Sequence, residues 1–272
     1  MNVFFKLLGI PVFSIADVDK FYHNLSSARS AVQRLMKMGM VKRIRNDMYT
    51  CINGENGMAV ADRFQIGSHI NDGSYISHHT AMEYYGITDQ VFYDVFVTSE
   101  KAFNSFEFEG YRYHRISPSI SQGVNKVALS GGVAVTDRER TVLDCIKDLN
   151  KVAGAEEVFS NLESVGKLHE EKLLMYLKQY DNQFLYQKTG FLMQKSADRH
   201  GLSDAFFEEC KRKIGKSKRY LSGTPAEGVY DSEWKLIVPS NVLDLKNGGM
   251  TDAGLFFGFD RNKRLDLKKS SV

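Results

Sequence analysis

In the stretch RSAVQRLMKMGMVKRIRNDMYT (residues 29–50), Ser30, Gln33, Arg34 and Lys37 recur at i, i+3, i+4 and i+7. That spacing places all four on one face of a helix. Their chemistry suits nucleic acid: arginine can donate two hydrogen bonds to guanine, glutamine matches adenine, and lysine attracts phosphate. Ser26, Ser27 and Arg29 extend the polar surface toward the start of the same helix. Three further cations, Lys42, Arg43 and Arg45, follow in the strand-like run VKRIR, which Asn46-Asp47 turns and Met48-Tyr49-Thr50 returns. These residues form the candidate DNA-contacting set, with base contacts expected from the helix and phosphate contacts from the hairpin.

The elements that must hold them follow from apolar spacing. Ala31, Val32, Leu35 and Met36 stripe the opposite face of the helix, Ser26 or Ser27 is its expected N-cap, and Gly39 suits the position just past its end. Upstream, Val3, Phe4, Leu7 and Leu8 space a first short helix that stops at Gly9 and Pro11. Ser14-Ile15-Ala16-Asp17 has the form of a capping box, with Asp in the place of Glu, and opens a second helix burying Ile15, Val18 and Phe21. Three short helices and a hairpin are the parts of a winged helix-turn-helix, whose third helix reads the major groove. Residues 1–53 carry eight Lys/Arg against three Asp, a balance of +5, in a chain whose total is +3. Each phosphate neutralised by such cations adds salt-dependent affinity. A merely solvated helix face and a protein-docking winged helix are the competing readings. Clustering of the cations on the third helix and hairpin, among side chains suited to base edges, favours DNA.

At 272 residues the chain has room for a second domain. The predicted fold class is α+β: a winged helix-turn-helix over 1–53, a Gly/Asn-rich linker over 54–70 with room for one short helix, and a larger domain over 71–272. In that domain QVFYDVFVTS (90–99) and FEFEGYRYHRI (106–116) read as strands, and Val133 to Val135 as another. A helix follows, with Thr136 as its expected cap and Glu139 completing a capping box. The stretch 153–214 is helical by pattern, and YLSGTPAEGVYDSEWKLIVP reads as a loop and a strand. The apolar fraction of 43% excludes a disordered chain, and no apolar run approaches the ~20 residues of a membrane span. Without signal-peptide order, and with three widely spaced cysteines expected as reduced, buried thiols, a cytoplasmic location is expected.

No catalytic residue, metal site or cofactor is expected. His78-His79 with His69 invites a metal reading, but adjacent helical histidines diverge by about 100° and no H-E-x-x-H pattern follows. A capped, partly exposed helix start is the expectation there. Asp137 and Glu139 suit a positive helix N-terminus, with Arg138 and Arg140 pairing locally. The closing NGGMTDAGLFFGFDRNKRLDL echoes a nucleotidyltransferase pattern, but Lys268 stands where a second acid should follow Asp266. Lys211, Arg212, Lys213, Lys216, Lys218 and Arg219 form a second basic run, read either as a solvated helix end or as an anion-binding surface.

The order of these features resembles a known family. Leu35, Gly39, Arg43, Ile44 and Tyr49 match a winged-helix ending, and Ser77, Thr80, Ala81, Gly86 and Ile87 a second motif. V-T-D-x-x-R-T-V-L-D-C follows at Val135 to Cys145, T-G-F-L-M at Thr189 to Met193, and W-K-L-I-V-P from Trp234. Together they are similar to the AbiEi antitoxins, transcriptional regulators of phage-defence toxin–antitoxin operons. The resemblance covers residues 1–240; the wing tip departs from it, with Asn46-Asp47-Met48 where a Gly usually precedes the Tyr, and residues 241–272 match no part of it. It implies binding to inverted repeats at the operator, repression of the chain's own operon, and antagonism of a nucleotidyltransferase-like toxin without a required stable complex. Two other classes remain: a regulator whose larger domain senses a ligand, and a nuclease-like enzyme using an acid such as Asp137 or Asp144.

Overall fold

The computed structural model describes residues 3–88, 90–128, 131–149, 151, 154–223 and 228–247. It is a mixed α/β chain with three sheets among those residues. The closing sequence from 248 onward, with its nucleotidyltransferase echo, lies outside them.

The first fifty residues form α1 (Val3–Leu7), α2 (Ile15–Tyr22), α3 (Leu25–Lys37), β1 (Val41–Arg45) and β2 (Met48–Cys51). The expected capping box opens α2: Ser14 Oγ accepts from Asp17 N, and the Asp17 carboxylate accepts from Ser14 N at 2.9 Å. His23 ends α2 in the left-handed region, and Asn24 at once caps α3, its Oδ1 accepting from Ser27 N at 3.0 Å. Ser26 and Ser27 therefore lie inside α3, not at its cap. The chain reverses at His23-Asn24 with no residue to spare, so the cap falls directly before Leu25. Gly39, at φ 72, releases the chain into the hairpin, where Asp47 takes the left-handed turn position at φ 50. Asp47 Oδ1 also accepts from Ile15 N at 2.9 Å, pinning the turn to the start of α2. Leu7, Val18, Ala28, Val32, Leu35 and Val41 share one small core.

Residues 54–70 do not form a free linker. They contain α4 (Arg63–Ser68), capped by Asp62 in a box with Gln65. α4 lies on a six-stranded sheet built from β3 (Tyr75–Ile76), β4 (Asp94–Thr98), β5 (Phe106–Phe108), β6 (Tyr111–Ile116), β7 (Val124–Val127) and β8 (Val133–Thr136). The strand order is β5-β6-β4-β3-β8-β7, with β6–β4 and β3–β8 parallel and the other pairs antiparallel. Gly67 permits the close approach of α4: a Cβ there would meet Ile76 Cγ2 at 3.0 Å and Val97 Cγ2 at 3.1 Å. Ser68 Oγ accepts from Ala134 N at 3.0 Å, which ties α4 to β8. One hydrophobic cluster joins Val12, Ile44 and Met48 to Ile66, Val95, Val97, Phe108 and Tyr113, so the core runs straight across the boundaries expected at 53 and 70.

α5 (His78–Tyr84) follows β3, and α6 (Arg138–Lys147) follows β8. The helical half contains α7 (Gly154–Ser164), α8 (Glu170–Tyr180), α9 (Gln183–Met193), α10 (Ala197–His200) and α11 (Asp204–Lys213). The chain then adds β9 (Arg219–Tyr220), β10 (Gly228–Asp231), β11 (Leu236–Pro239) and α12 (Ser240–Asn247). The stretch expected as a loop and one strand thus forms a three-stranded sheet, β10-β11-β9. Trp234, fully buried, anchors that sheet in the helical core with Phe191, Phe206 and Leu236. No described helix is long and apolar enough to cross a membrane.

Candidate nucleic-acid interface

α3 buries Ala28, Ala31, Val32 and Leu35 and leaves every candidate contact residue in solvent. Ser26, Ser30, Gln33 and Lys37 form the outermost line, flanked by Arg29 on one side and by Ser27 and Arg34 on the other. Among the described residues, the side chains of Arg29, Ser30, Gln33, Arg34 and Lys37 have no internal hydrogen bond or ion pair. Arg34 and Lys37 in the last turn complement the negative helix end. A groove of about 440 Å³ separates α3 from the hairpin tip, with Arg29, Gln33 and Met36 on one wall and Asn46, Asp47 and Tyr49 on the other. Thirteen residues at a rise of about 1.5 Å each make α3 roughly 20 Å long.

The hairpin cations divide differently from the expectation of three phosphate contacts. Lys42 ion-pairs with Glu109 at 3.0 Å and lies over the Phe108 ring, both on the six-stranded-sheet side. β1 then bulges at Ile44, where its register with β2 slips between Arg43 and Arg45. Beyond the bulge Arg45 also faces the sheet, its guanidinium 5.6 Å from the Phe103 ring centre and 5.3 Å from that of Phe106. Arg43 stays exposed and braces the hairpin, donating to Arg45 O at 3.1 Å and to Asn46 Oδ1 at 2.9 Å. Strand alternation in the sequence marks which residues share a side, but not that a second sheet covers that side.

The second basic run meets acids supplied from nearby. Lys211 pairs with Glu208 at 3.0 Å and with Glu233 at 2.8 Å, and Arg212 pairs with Glu209. Lys218 lies over the Tyr230 ring and Arg219 over that of Phe184. Lys213 and Lys216 are exposed. Two of the six cations are thus paired with acids inside the chain, while Lys213, Lys216, Lys218 and Arg219 remain exposed.

The α6 motif is a buried polar network. Asp137, not Thr136, caps α6 by accepting from Arg140 N at 2.9 Å, while Thr136 Oγ1 bonds Thr141 Oγ1. Glu139 leaves the expected capping box and accepts from His169 N at 2.9 Å instead. Arg140, 1% exposed, pairs with Asp144 at 3.0 Å and donates to Gln122 O at 2.6 Å. Tyr180 donates to Asp144, and Tyr176 to Asp137 at 2.7 Å. These contacts occupy both acids considered for nuclease chemistry.

His78 and His79 are buried rather than partly exposed. Ser77 caps α5 by backbone geometry alone; its hydroxyl bonds His78 Nδ1 at 2.8 Å, and His78 Nε2 lies 3.2 Å from Asp148. The connectivity is that of a Ser-His-Asp relay, yet Ser77 and His78 are enclosed, so no substrate can approach the hydroxyl. Lys188, also buried, donates to Lys147 O at 2.5 Å, and burial pushes its ammonium down to about 8. Among the described residues no cluster of three His, Cys, Asp or Glu side chains is placed to hold a metal ion. Asn24, the α3 cap, stands directly before the first apolar helical residue, a local signal that Ser26 and Ser27 mask in the sequence.

No family model matches the chain, and no curated protein matches it in sequence. Its architecture is shared with a solved protein: the structure is similar to the crystal structure of the Rv2827c protein from Mycobacterium tuberculosis. The TM-score is 0.62, and the match covers 90% of this chain and 94% of that one at 15% identity. At that identity the likeness establishes the fold alone.

Proposed function

We propose that the chain is a DNA-binding regulator, that its first fifty residues act as a winged helix-turn-helix, and that the whole serves as an antitoxin of the AbiEi kind. The observation that carries the DNA reading is α3 itself. It displays Arg29, Ser30, Gln33, Arg34 and Lys37 in solvent with no internal partner among the described residues, beside an open groove that the hairpin flanks. Polar side chains left free on a helix that packs Ala28, Ala31, Val32 and Leu35 on its other side, with Met36 left exposed at the groove, suit base-edge and phosphate contacts. In this reading two copies bind the two halves of an inverted repeat at the operator and repress the operon. The antagonised partner is a nucleotidyltransferase-like toxin, a role supported by the ordered motifs from Ser77 to Pro239.

The test is a titration of the full chain against duplex DNA from its own upstream region, repeated across salt concentrations. Specific binding with a steep salt slope is expected. Equal, weak affinity for operator and scrambled duplex would sink the reading. Co-expression with the product of the adjacent gene tests the antitoxin half, with growth rescue as the expected result.

A further inference from the structure

The three-stranded sheet turns one side to the core and the other to solvent. Leu236 and Val238 of β11 are fully buried in the helical core, so Ile237 between them points outward. Across the register, Ile237 pairs with Tyr220 of β9 on one flank and with Tyr230 of β10 on the other. Directly paired residues share a side of a sheet, so the three form one outward row. Two strand spacings of about 4.8 Å set the tyrosines about 10 Å apart. Both rings are open, at 45% exposure for Tyr220 and 42% for Tyr230. Cations border the row. Lys218 lies 4.5 Å from the Tyr230 ring centre, and Lys235 donates to Gly215 O at 3.1 Å, beside Lys216. Lys216 and Lys218 are exposed, and among the described residues no acid pairs with them. The acids that meet the run, Glu208, Glu209 and Glu233, are taken by Lys211 and Arg212. Arg219, opposite the buried Leu236, turns away from the row and lies over the Phe184 ring.

We propose that this face binds single-stranded nucleic acid, with the Tyr220 and Tyr230 rings stacking bases and Lys216 and Lys218 holding phosphates. Two features select that occupant. Unpaired cations call for a polyanion, and charge complementarity alone would also admit a duplex or an acidic peptide. Open rings on a flat sheet call for unpaired bases, whose faces a duplex keeps stacked inside itself and a peptide lacks. Rings about 10 Å apart take different bases of one strand, and Ile237 fills the floor between them. Lys218 does not block this: an exposed cation–π contact is weaker than a stacked base, so a base displaces the ammonium toward a neighbouring phosphate. The site lies on residues separate from α3 and does not rest on the reading of α3.

The probe is a fluorescein-labelled oligothymidylate of about twelve nucleotides, titrated with the full chain and followed by anisotropy. Saturable binding is expected. Tyr220→Ala with Tyr230→Ala should weaken it by about fivefold or more, the lower end of what one stacked base contributes. Tyr220→Phe with Tyr230→Phe should keep it, because the ring stacks and the hydroxyl does not. Lys216→Ala should flatten the salt slope by about 0.7, the value for one phosphate of a single strand. Affinity for operator duplex should be the same in the alanine pair as in the wild type. No saturable binding, a loss in the alanine pair of less than about fivefold, or an equal loss in the phenylalanine pair overturns the site. If Gln33→Ala with Arg34→Ala removes strand binding and the alanine pair does not, the strand sits on α3 and the cations here only guard a sheet edge. A chain that binds no duplex sinks the reading of α3, while the strand titration still decides this face.

Discussion

Gly190, inside α9, lies flat against the indole of Trp234, so close that a Cβ on it would stand 2.0 Å from Trp234 Cζ3. Two motifs separated by forty residues in sequence, T-G-F-L-M and W-K-L-I-V-P, thus meet face to face in the helical core. Gly190→Ala should cost about 3 kcal/mol or more, because the overlapping atoms are a rigid ring that cannot yield locally. Trp234→Ala alone should cost about 3–5 kcal/mol, and the pair together clearly less than the sum. Urea unfolding of the four proteins checks this; strict additivity would refute the contact.

The hairpin arginines and the helix lysine should separate by assay. Lys37→Ala should reduce the salt slope of DNA binding by about one, as a phosphate contact does. Arg45→Ala should instead lower stability by about 1–2 kcal/mol, through loss of its contacts with Phe103 and Phe106. A normal unfolding midpoint with a flattened salt slope for Arg45→Ala would return it to the proposed DNA-contacting set.

His79 predicts an acid-sensitive step. Its ring sits 4.3 Å from Phe92 and 4.7 Å from Phe96, Nδ1 has no partner among the described residues, and His78, Asp94 and His114 are its ionisable neighbours. Burial first, and His78 second, push the imidazole down to about 4 from 6.5. The unfolded chain therefore binds the proton more readily, and stability present above about pH 6.5 is lost as pH falls toward 4. That loss is of the order of 3 kcal/mol. Unfolding midpoints measured from pH 7 to 4 should fall less steeply in His79→Leu than in the wild type; parallel curves would show that His79 is not the group responsible.

Truncation should not separate the proposed repression from the proposed antitoxicity. A fragment of residues 71–272 loses Val12, Ile44, Met48 and Ile66 from a cluster that also holds Val95, Val97, Phe108 and Tyr113. It should aggregate or fail to unfold cooperatively. Gln33→Ala with Arg34→Ala in the full chain, which touches only exposed side chains, should abolish repression and spare growth rescue. A monodisperse 71–272 fragment with a sharp unfolding transition would show that the shared cluster is dispensable.

What the sequence disclosed was local. The Ser14–Asp17 box and the Asn46-Asp47 turn depend on neighbours within four residues, and both are found where the pattern puts them; the helix after Val135 is present too, but it begins one residue later than a Thr136 cap would place it. The exposed face of α3 was legible for the same reason. Features decided by distant segments were not. Lys42 and Arg45 looked free because Glu109, Phe103 and Phe106 lie some sixty residues away, and His78 and His79 looked exposed because nothing nearby announces the enclosure of α5. Residues 54–70 read as a tether because glycine and asparagine predominate at their start, while the apolar spacing of Ile66 and Ile70 is too sparse to reveal a packed helix.

The six-stranded sheet is joined at its middle by two residues. β3 meets β4 only at Tyr75 and Ile76, and meets β8 only through Ile76. On either side the pairings are longer and mostly between close neighbours in sequence, so each half can assemble early, whereas the seam must close the long excursion from Ile76 to Val135. α4 is laid across that seam like a splint, with Gly67 against Ile76 and Ser68 holding Ala134. The sheet should therefore part along its centre line, with α4 lifting first, and the amides there should exchange with solvent before those of β4 and β6.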